Sequence, residues 1–182
     1  MRIALFGVAG SGKDFLGSFL KEEREYSSFS FGSSLKEICC EIFDGVIFNP
    51  IDSDIVISKY GKSHREIWIR MAKTIREIDN EIFVRKTLEK IEKEEEKGDG
   101  KNIIITDLRD EVEYAMLAKQ GFVFINVFPK DGRAVKPANE YDDKIKFLST
   151  KNYHIFINDF DERKTLKRFG EFIDRISLVS LD

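Results

Sequence analysis

Apolar positions along the chain follow two periods, one of strands and one of helices. Ile3-Ala4-Leu5-Phe6 is an unbroken apolar run closed by a glycine, which predicts a strand buried on both faces. Beyond a glycine-rich loop, Leu16, Phe19 and Leu20 recur at helical spacing, predicting a helix over 14–24. The alternation Phe29-Ser30-Phe31 predicts a second short strand. Leu35, Ile38, Cys39, Ile42 and Phe43 then mark an amphipathic helix, with Ser33 or Ser34 expected as its cap. Residues 44–62, which hold Asn49-Pro50 and Tyr60-Gly61, read as a loop or mobile insertion. Helical patterning resumes over 63–76. A further helix carries Val84, Leu88 and Ile91, with Asp79 or Asn80 as its expected cap. Its tail, 89–97, is almost wholly charged and reads as a solvated face ending at Gly98.

The second half alternates more cleanly. Ile103-Ile104-Ile105 predicts a buried strand, 111–119 a helix and 122–128 a strand; 154–157 is a last strand and 162–175 a last helix. Strands alternating with helices imply a parallel sheet of about five strands, covered by helices on both faces and joined by right-handed crossovers. Ligands of such sheets bind beyond the carboxyl ends of the strands. The loop after Phe6, Asp107 after Thr106 and Pro129 after Phe128 would all gather there.

Composition narrows the class. The 182 residues are 42% hydrophobic and include sixteen Phe, enough for a full core and too apolar for a disordered chain. Thirty basic against thirty-three acidic residues give a formal charge of -3, so no nucleic-acid partner is expected. No apolar run approaches the roughly 20 residues of a membrane helix, and no secretory leader opens the sequence, so no membrane partner is expected. The only two cysteines, Cys39 and Cys40, are adjacent and read as small packing residues, with a reducing cytoplasm as the expected location.

The chemistry lies in Gly7-Val8-Ala9-Gly10-Ser11-Gly12-Lys13-Asp14, which fits G-x-x-x-x-G-K and departs from the usual pattern only where Asp14 replaces Ser or Thr. Glycines let successive backbone N–H groups turn around a phosphate, and the following helix directs its positive end at the same anion. The nucleotide-binding stretch is therefore Ala9, Gly10, Ser11, Gly12, Lys13, Asp14 and Phe15, with Lys13 spanning the outer phosphates. Asp14 is a hard oxygen ligand suited to Mg²⁺; the competing reading makes it a helix cap. Asp107, ending an apolar strand, resembles a second metal-organising acid, and Arg109 would face the same cleft. The fold class is accordingly the phosphate-loop NTPase three-layer α/β fold. Its core is expected at about 1–43 and 100–182, a helical acceptor-binding insertion at 44–99, and a short lid at 129–147.

No Asn-Lys-x-Asp base-reading segment of a GTPase occurs, and the G-K-D ending resembles the phage-type deoxynucleoside monophosphate kinases. Phe31-Gly32-Ser33-Ser34-Leu35-Lys36 is similar to that family's F-A-x-x-L-K segment. Arg65-Glu66, Arg76, Asp79 and Phe83-Val84-Arg85 resemble its R-E…R…D…W-V block, with Ile69, Ala72 and Lys73 where the family has Gln, Gly and Thr. Thr106-Asp107-Leu108-Arg109 with Glu113 resembles its S/T-D-x-R-x-x-x-E segment, although Val112 replaces Asn, and 153–159 resembles its Y-x-I-x-N strand. The resemblance spans about residues 1–175.

It implies phosphoryl transfer from ATP, with Mg²⁺, to a deoxynucleoside 5'-monophosphate, a small-molecule reaction in deoxynucleotide synthesis, carried out in the host cytoplasm if the origin is a phage. A homodimer is compatible with it. Lys13, Asp14, Arg109 and the lid residue Arg133 are the implied catalytic residues. Phe31, Lys36, Arg65, Trp68, Arg76, Asp107 and Arg109 are the implied acceptor-side residues, and Asp14 and Asp107 the metal-organising pair. Core packing competes as a role for Trp68, and a solvated helix terminus is the expected place of His64. Two other readings stand beside this one: another small-molecule kinase such as a phosphomevalonate kinase, whose G-K-D-F string is shared, and a nucleotide-binding regulatory module without turnover.

Overall fold

A computed structural model describes residues 1–98, 102–130 and 151–179. They form two compact units, one of Met1–Phe29 with Glu95–Asp182 and one of Ser30–Glu94.

The first unit is a five-stranded parallel sheet. Its strands are β1 (Arg2–Phe6), β2 (Ser27–Phe29), β5 (Ile103–Ile105), β6 (Val123–Pro129) and β7 (His154–Asn158), in the order β2-β5-β1-β6-β7. Among the described residues three helices belong with it: α1 (Lys13–Glu23), α5 (Glu111–Lys119) and α6 (Glu162–Val179). The register pairs Ala4 with Ile105 on one side and with Phe124 on the other. The period-two alternation therefore sends Ile3, Leu5, Ile104, Ile125, Val127 and Phe156 to one face. There they pack with Leu16 and Leu20 of α1 and Phe169, Ile173 and Ile176 of α6, all buried. On the opposite face the Phe124 ring lies 4.2 Å from that of Tyr114 in α5. Both faces of the sheet carry helices, as the unbroken apolar strands require.

The second unit contains α2 (Phe31–Ile42), α3 (His64–Ile78), all but the last residue of α4 (Ile82–Glu95), and the short strands β3 (Val56–Ile57) and β4 (Lys62–Ser63). Serine and glutamate begin α3 with a reciprocal capping box: Ser63 Oγ accepts from the Glu66 N–H and the Glu66 carboxylate from the Ser63 N–H. The latter contact holds the Glu66 carboxyl below its ordinary pKa.

Three sequence-based expectations need correction. Phe29-Ser30-Phe31 is not one strand. The strand stops at Phe29, Ser30 is the cap of α2 rather than Ser33 or Ser34, and Phe31 is the first helical residue. The four-residue spacing of Phe31, Leu35 and Cys39, all buried, puts them on one helical stripe and overrides a three-residue alternation. Residues 44–62 are not wholly loop, since Val56 and Ile57 pair antiparallel with Ser63 and Lys62. His64 is buried rather than solvated, at 7% exposure. Its Nδ1 accepts from the Ile47 N–H, and its ring lies 6.1 Å from that of Trp68.

Candidate active site

β1 ends at Phe6 and the chain turns at once through residues 7–12 into α1. Gly7, Gly10 and Gly12 have φ of 152°, 78° and 90°, where L side chains are strained. Two of them are also enclosed. A Cβ at Gly7 would lie 2.5 Å from the Val127 carbonyl oxygen, and one at Gly12 would lie 2.2 Å from Asn158 Nδ2. Gly12 is the N-cap of α1 and carries no side chain to accept from the first-turn N–H groups. The result is a backbone cradle at the positive end of an eleven-residue helix, with Lys13 as the first helical residue and only 8% exposed. A phosphate group fits this donor set. Ser11 lies at the base of the turn, fully buried, with its Oγ unpartnered.

Asp14 is exposed in the first turn of α1, and the cap is Gly12, so the capping role weighed for Asp14 falls away. Phe15 follows it, 41% exposed. β5 neighbours β1 in parallel, so Thr106 and Asp107 leave the same sheet edge beside the cradle. Asp107 is half-buried, Leu108 is fully buried between its polar neighbours, and Arg109 is exposed. This turn is shaped by Glu113, a carboxylate only 3% exposed that accepts from the N–H groups of Arg109 (2.6 Å) and Asp110 (3.3 Å). Asp110 in return accepts from the Glu113 N–H, completing a capping box that begins α5.

The carboxyl end of β7 supplies the remaining wall. Asn158, 2% exposed, donates from Nδ2 to the Ser11 carbonyl at 2.9 Å and accepts at Oδ1 from the Phe160 N–H at 2.9 Å. Thr165 Oγ1 donates to Asp159 Oδ1 at 2.6 Å, which holds that carboxyl below its ordinary pKa. A cavity of about 270 Å³ opens here, lined by Gly12, Phe15, Asn158, Phe160, Glu162 and Thr165. Two half-exposed rings, Phe15 and Phe160, offer apolar faces to a planar ligand, and Glu162 offers an acceptor. Phe160, Glu162 and Thr165 were not singled out from the sequence, where the only hint was an aromatic residue just after an apolar strand.

Among the described residues no group of three or more His, Cys, Asp and Glu could hold a metal ion. Asp14 and Asp107 are two of the carboxylates at this edge, beside Asp110, Glu113, Asp159 and Glu162.

Within the second unit Lys36 and Trp68 meet. The Lys36 ammonium lies 4.8 Å from the Trp68 ring centroid and 5.3 Å from that of Phe48. Trp68 Nε1 is buried and unpartnered. Arg65 is exposed and donates from Nε to Asp54 Oδ1 at 2.8 Å and from a terminal nitrogen to Ser53 Oγ at 3.2 Å. The half-buried Arg76 guanidinium lies 5.3 Å from the Phe83 ring centroid. Phe31 is buried at the start of α2. Arg133 and most of the expected lid, 129–147, lie outside the described residues.

A parallel sheet with a glycine cradle between its first strand and first helix is a three-layer α/β fold with an anion-binding turn at the carboxyl edge of its strands. The sequence matches no family model and no curated protein sequence. Solved structures do match. Dephospho-CoA kinase from Campylobacter jejuni superposes with a TM-score of 0.58 at 15% identity, over 99% of this chain and 100% of that one. A structure of deoxyadenosine kinase from M. mycoides, with dCMP and a flexible dCDP bound, matches with a TM-score of 0.43 at 12% identity, over 96% and 100% of the two chains. The first of these likenesses establishes the shared fold. No helix among the described residues is long and apolar enough to cross a membrane.

Proposed function

We propose that the protein transfers a phosphoryl group from ATP to a deoxynucleoside 5'-monophosphate, giving the diphosphate and ADP. The observation that carries this reading is the cradle itself: three glycines at positive φ deliver the chain into a helix that begins at Lys13, beside an acid on the neighbouring strand. The cavity of about 270 Å³ beside Gly12 supports this reading, since the far end of the same nucleotide would enter there. The deoxynucleotide acceptor rests on the sequence resemblance through Arg65, Arg76, Asp107 and Arg109.

Such a transfer asks little covalent help of the protein. The acceptor phosphate has a second pKa of about 6 and is mostly dianionic at neutral pH, so no general base is needed. The barrier is repulsion between anions and competition from water, and the remedy is positioning and charge neutralisation. Lys13 and the loop N–H groups would hold the outer phosphates. Arg65, Arg76 and Arg109 would clamp the acceptor through planar guanidinium groups. Arg133 would reach the transferring group from the lid. Asp14 and Asp107 would hold Mg²⁺, which when bound neutralises phosphate charge.

A second reading has its own support: the whole-chain fold likeness to a dephospho-CoA kinase makes dephospho-CoA an acceptor to test. The deciding experiment supplies purified protein with Mg-ATP and a panel of acceptors: each dNMP, the ribonucleotides, dephospho-CoA and phosphomevalonate. ADP formed only with dNMPs supports the proposal. ADP formed only with another acceptor replaces it, and ATP bound with none turned over makes the chain a nucleotide-binding regulatory module.

A further inference from the structure

We propose that Asn158 is a positioning residue for the phosphate loop, fixing its backbone from the end of β7 and tying it to the wall of the neighbouring cavity. This rests on the reading of residues 7–14 as the phosphate site. Asn158 closes an apolar strand, yet its amide is buried, and the two backbone groups it bonds are of settled polarity. The Ser11 carbonyl can only accept and the Phe160 N–H can only donate, so the two ends of the amide cannot be exchanged. Thr165 Oγ1 also lies 3.2 Å from Oδ1, with its single proton directed at Asp159 Oδ1, 2.6 Å away.

The consequence for the loop follows from peptide geometry. Carbonyl and N–H of one trans peptide point in opposite directions, so holding the Ser11 C=O towards Asn158 aims the Gly12 N–H away from it. One side chain, 147 residues distant in sequence, thereby sets the direction of an anion-binding donor. Contact is close enough that only glycine fits at residue 12, where a Cβ would lie 2.2 Å from Nδ2. The same amide holds Phe160 at φ 59°, a left-handed conformation that a bulky residue adopts only under constraint. Loop and cavity wall thus share one fastening, and loosening it disturbs both.

Inorganic tripolyphosphate separates the two, because it has no base to enter the cavity. Calorimetric titration should show Asn158→Ala and Asn158→Asp binding it at least about tenfold more weakly than the unchanged protein. The Asp variant should be the weaker, because an ionised carboxylate has no proton to give the Ser11 carbonyl. In turnover assays the KM for ATP should rise while the KM for the acceptor stays put, a split that general loosening would not produce. A folded Asn158→Asp protein that binds tripolyphosphate normally overturns the proposal and leaves the phosphate site standing. An unchanged protein that binds neither tripolyphosphate nor ATP overturns the phosphate site, and this proposal with it. Should neither Asn158 variant fold, NMR of the unchanged protein decides: added tripolyphosphate should shift the Gly12 N–H and the Asn158 side-chain amide together, whereas an unmoved Asn158 amide refutes the role.

Discussion

Gly17 of α1 lies directly against Thr106, the residue that leaves β5 just before Asp107: a Cβ at position 17 would stand 2.3 Å from Thr106 Cγ2. The first helix after the cradle is thus seated on the strand end that carries the neighbouring acid. Gly17→Ala would gain helix propensity but force a short, branched side chain aside. The clash should win, destabilising the protein by about 1–3 kcal/mol. Thermal melts check this, and a rise in melting temperature would refute the seating.

Lys13→Ala should lower kcat by roughly two orders of magnitude or more, on the scale of removing one preorganised donor at a developing charge. The melting temperature should stay close to that of the unchanged protein. At the next position Ser should retain far more activity than Ala, since a hydroxyl restores an oxygen to the metal. Equal activities of Asp14→Ser and Asp14→Ala would leave Asp14 only the favourable interaction of an acid with the first turn of a helix.

Glu113→Ala should cost about 1–3 kcal/mol, because it strands the N–H groups of Arg109 and Asp110 that its carboxylate now satisfies. Glu113→Gln keeps an acceptor oxygen and should be markedly milder. Denaturant unfolding distinguishes the pair. If Asp107 and Arg109 belong to the site, kcat should fall in the same order.

Cys39 is fully buried, and that burial, with a smaller effect of Cys40, raises its pKa to about 11. At about pH 8 roughly one thiol in a thousand is ionised, so a thiol reagent should modify Cys40 first and Cys39 only on unfolding. The unfolded thiol loses its proton at lower pH than the folded one. Between its usual pKa and about 11 the unfolded state therefore binds fewer protons, and stability falls as pH rises through that window. Burial of Tyr26, whose pKa is also raised, acts in the same direction at higher pH. Denaturant midpoints across this range should fall less steeply in Cys39→Val.

What the sequence discloses is set by the range of the interactions involved. The cradle and its flanking strand and helix are local, so Ile3-Ala4-Leu5-Phe6, the glycines and Leu16 with Leu20 announce one another within two dozen residues. The end of the second strand is hidden in the sequence because three residues of alternation at Phe29-Ser30-Phe31 also fit the start of the helical stripe that Leu35 and Cys39 continue. β3 and β4 are two residues each, too short to leave a period. Burial of His64 depends on the Ile47 N–H and the Trp68 ring, not on its own neighbours. The strand end at Asn158 showed only as part of a resemblance, since its partner Ser11 lies at the other end of the chain.

Strand β1 runs up the middle of its sheet, and both strands beside it are encoded about a hundred residues further on. A ribosome therefore delivers the glycine turn of residues 7–12 early, before either strand that flanks β1. Until β5 and β6 emerge, both edges of the apolar Ile3-Ala4-Leu5-Phe6 stretch lack their partners, so the centre of this sheet forms only after most of the chain has been made.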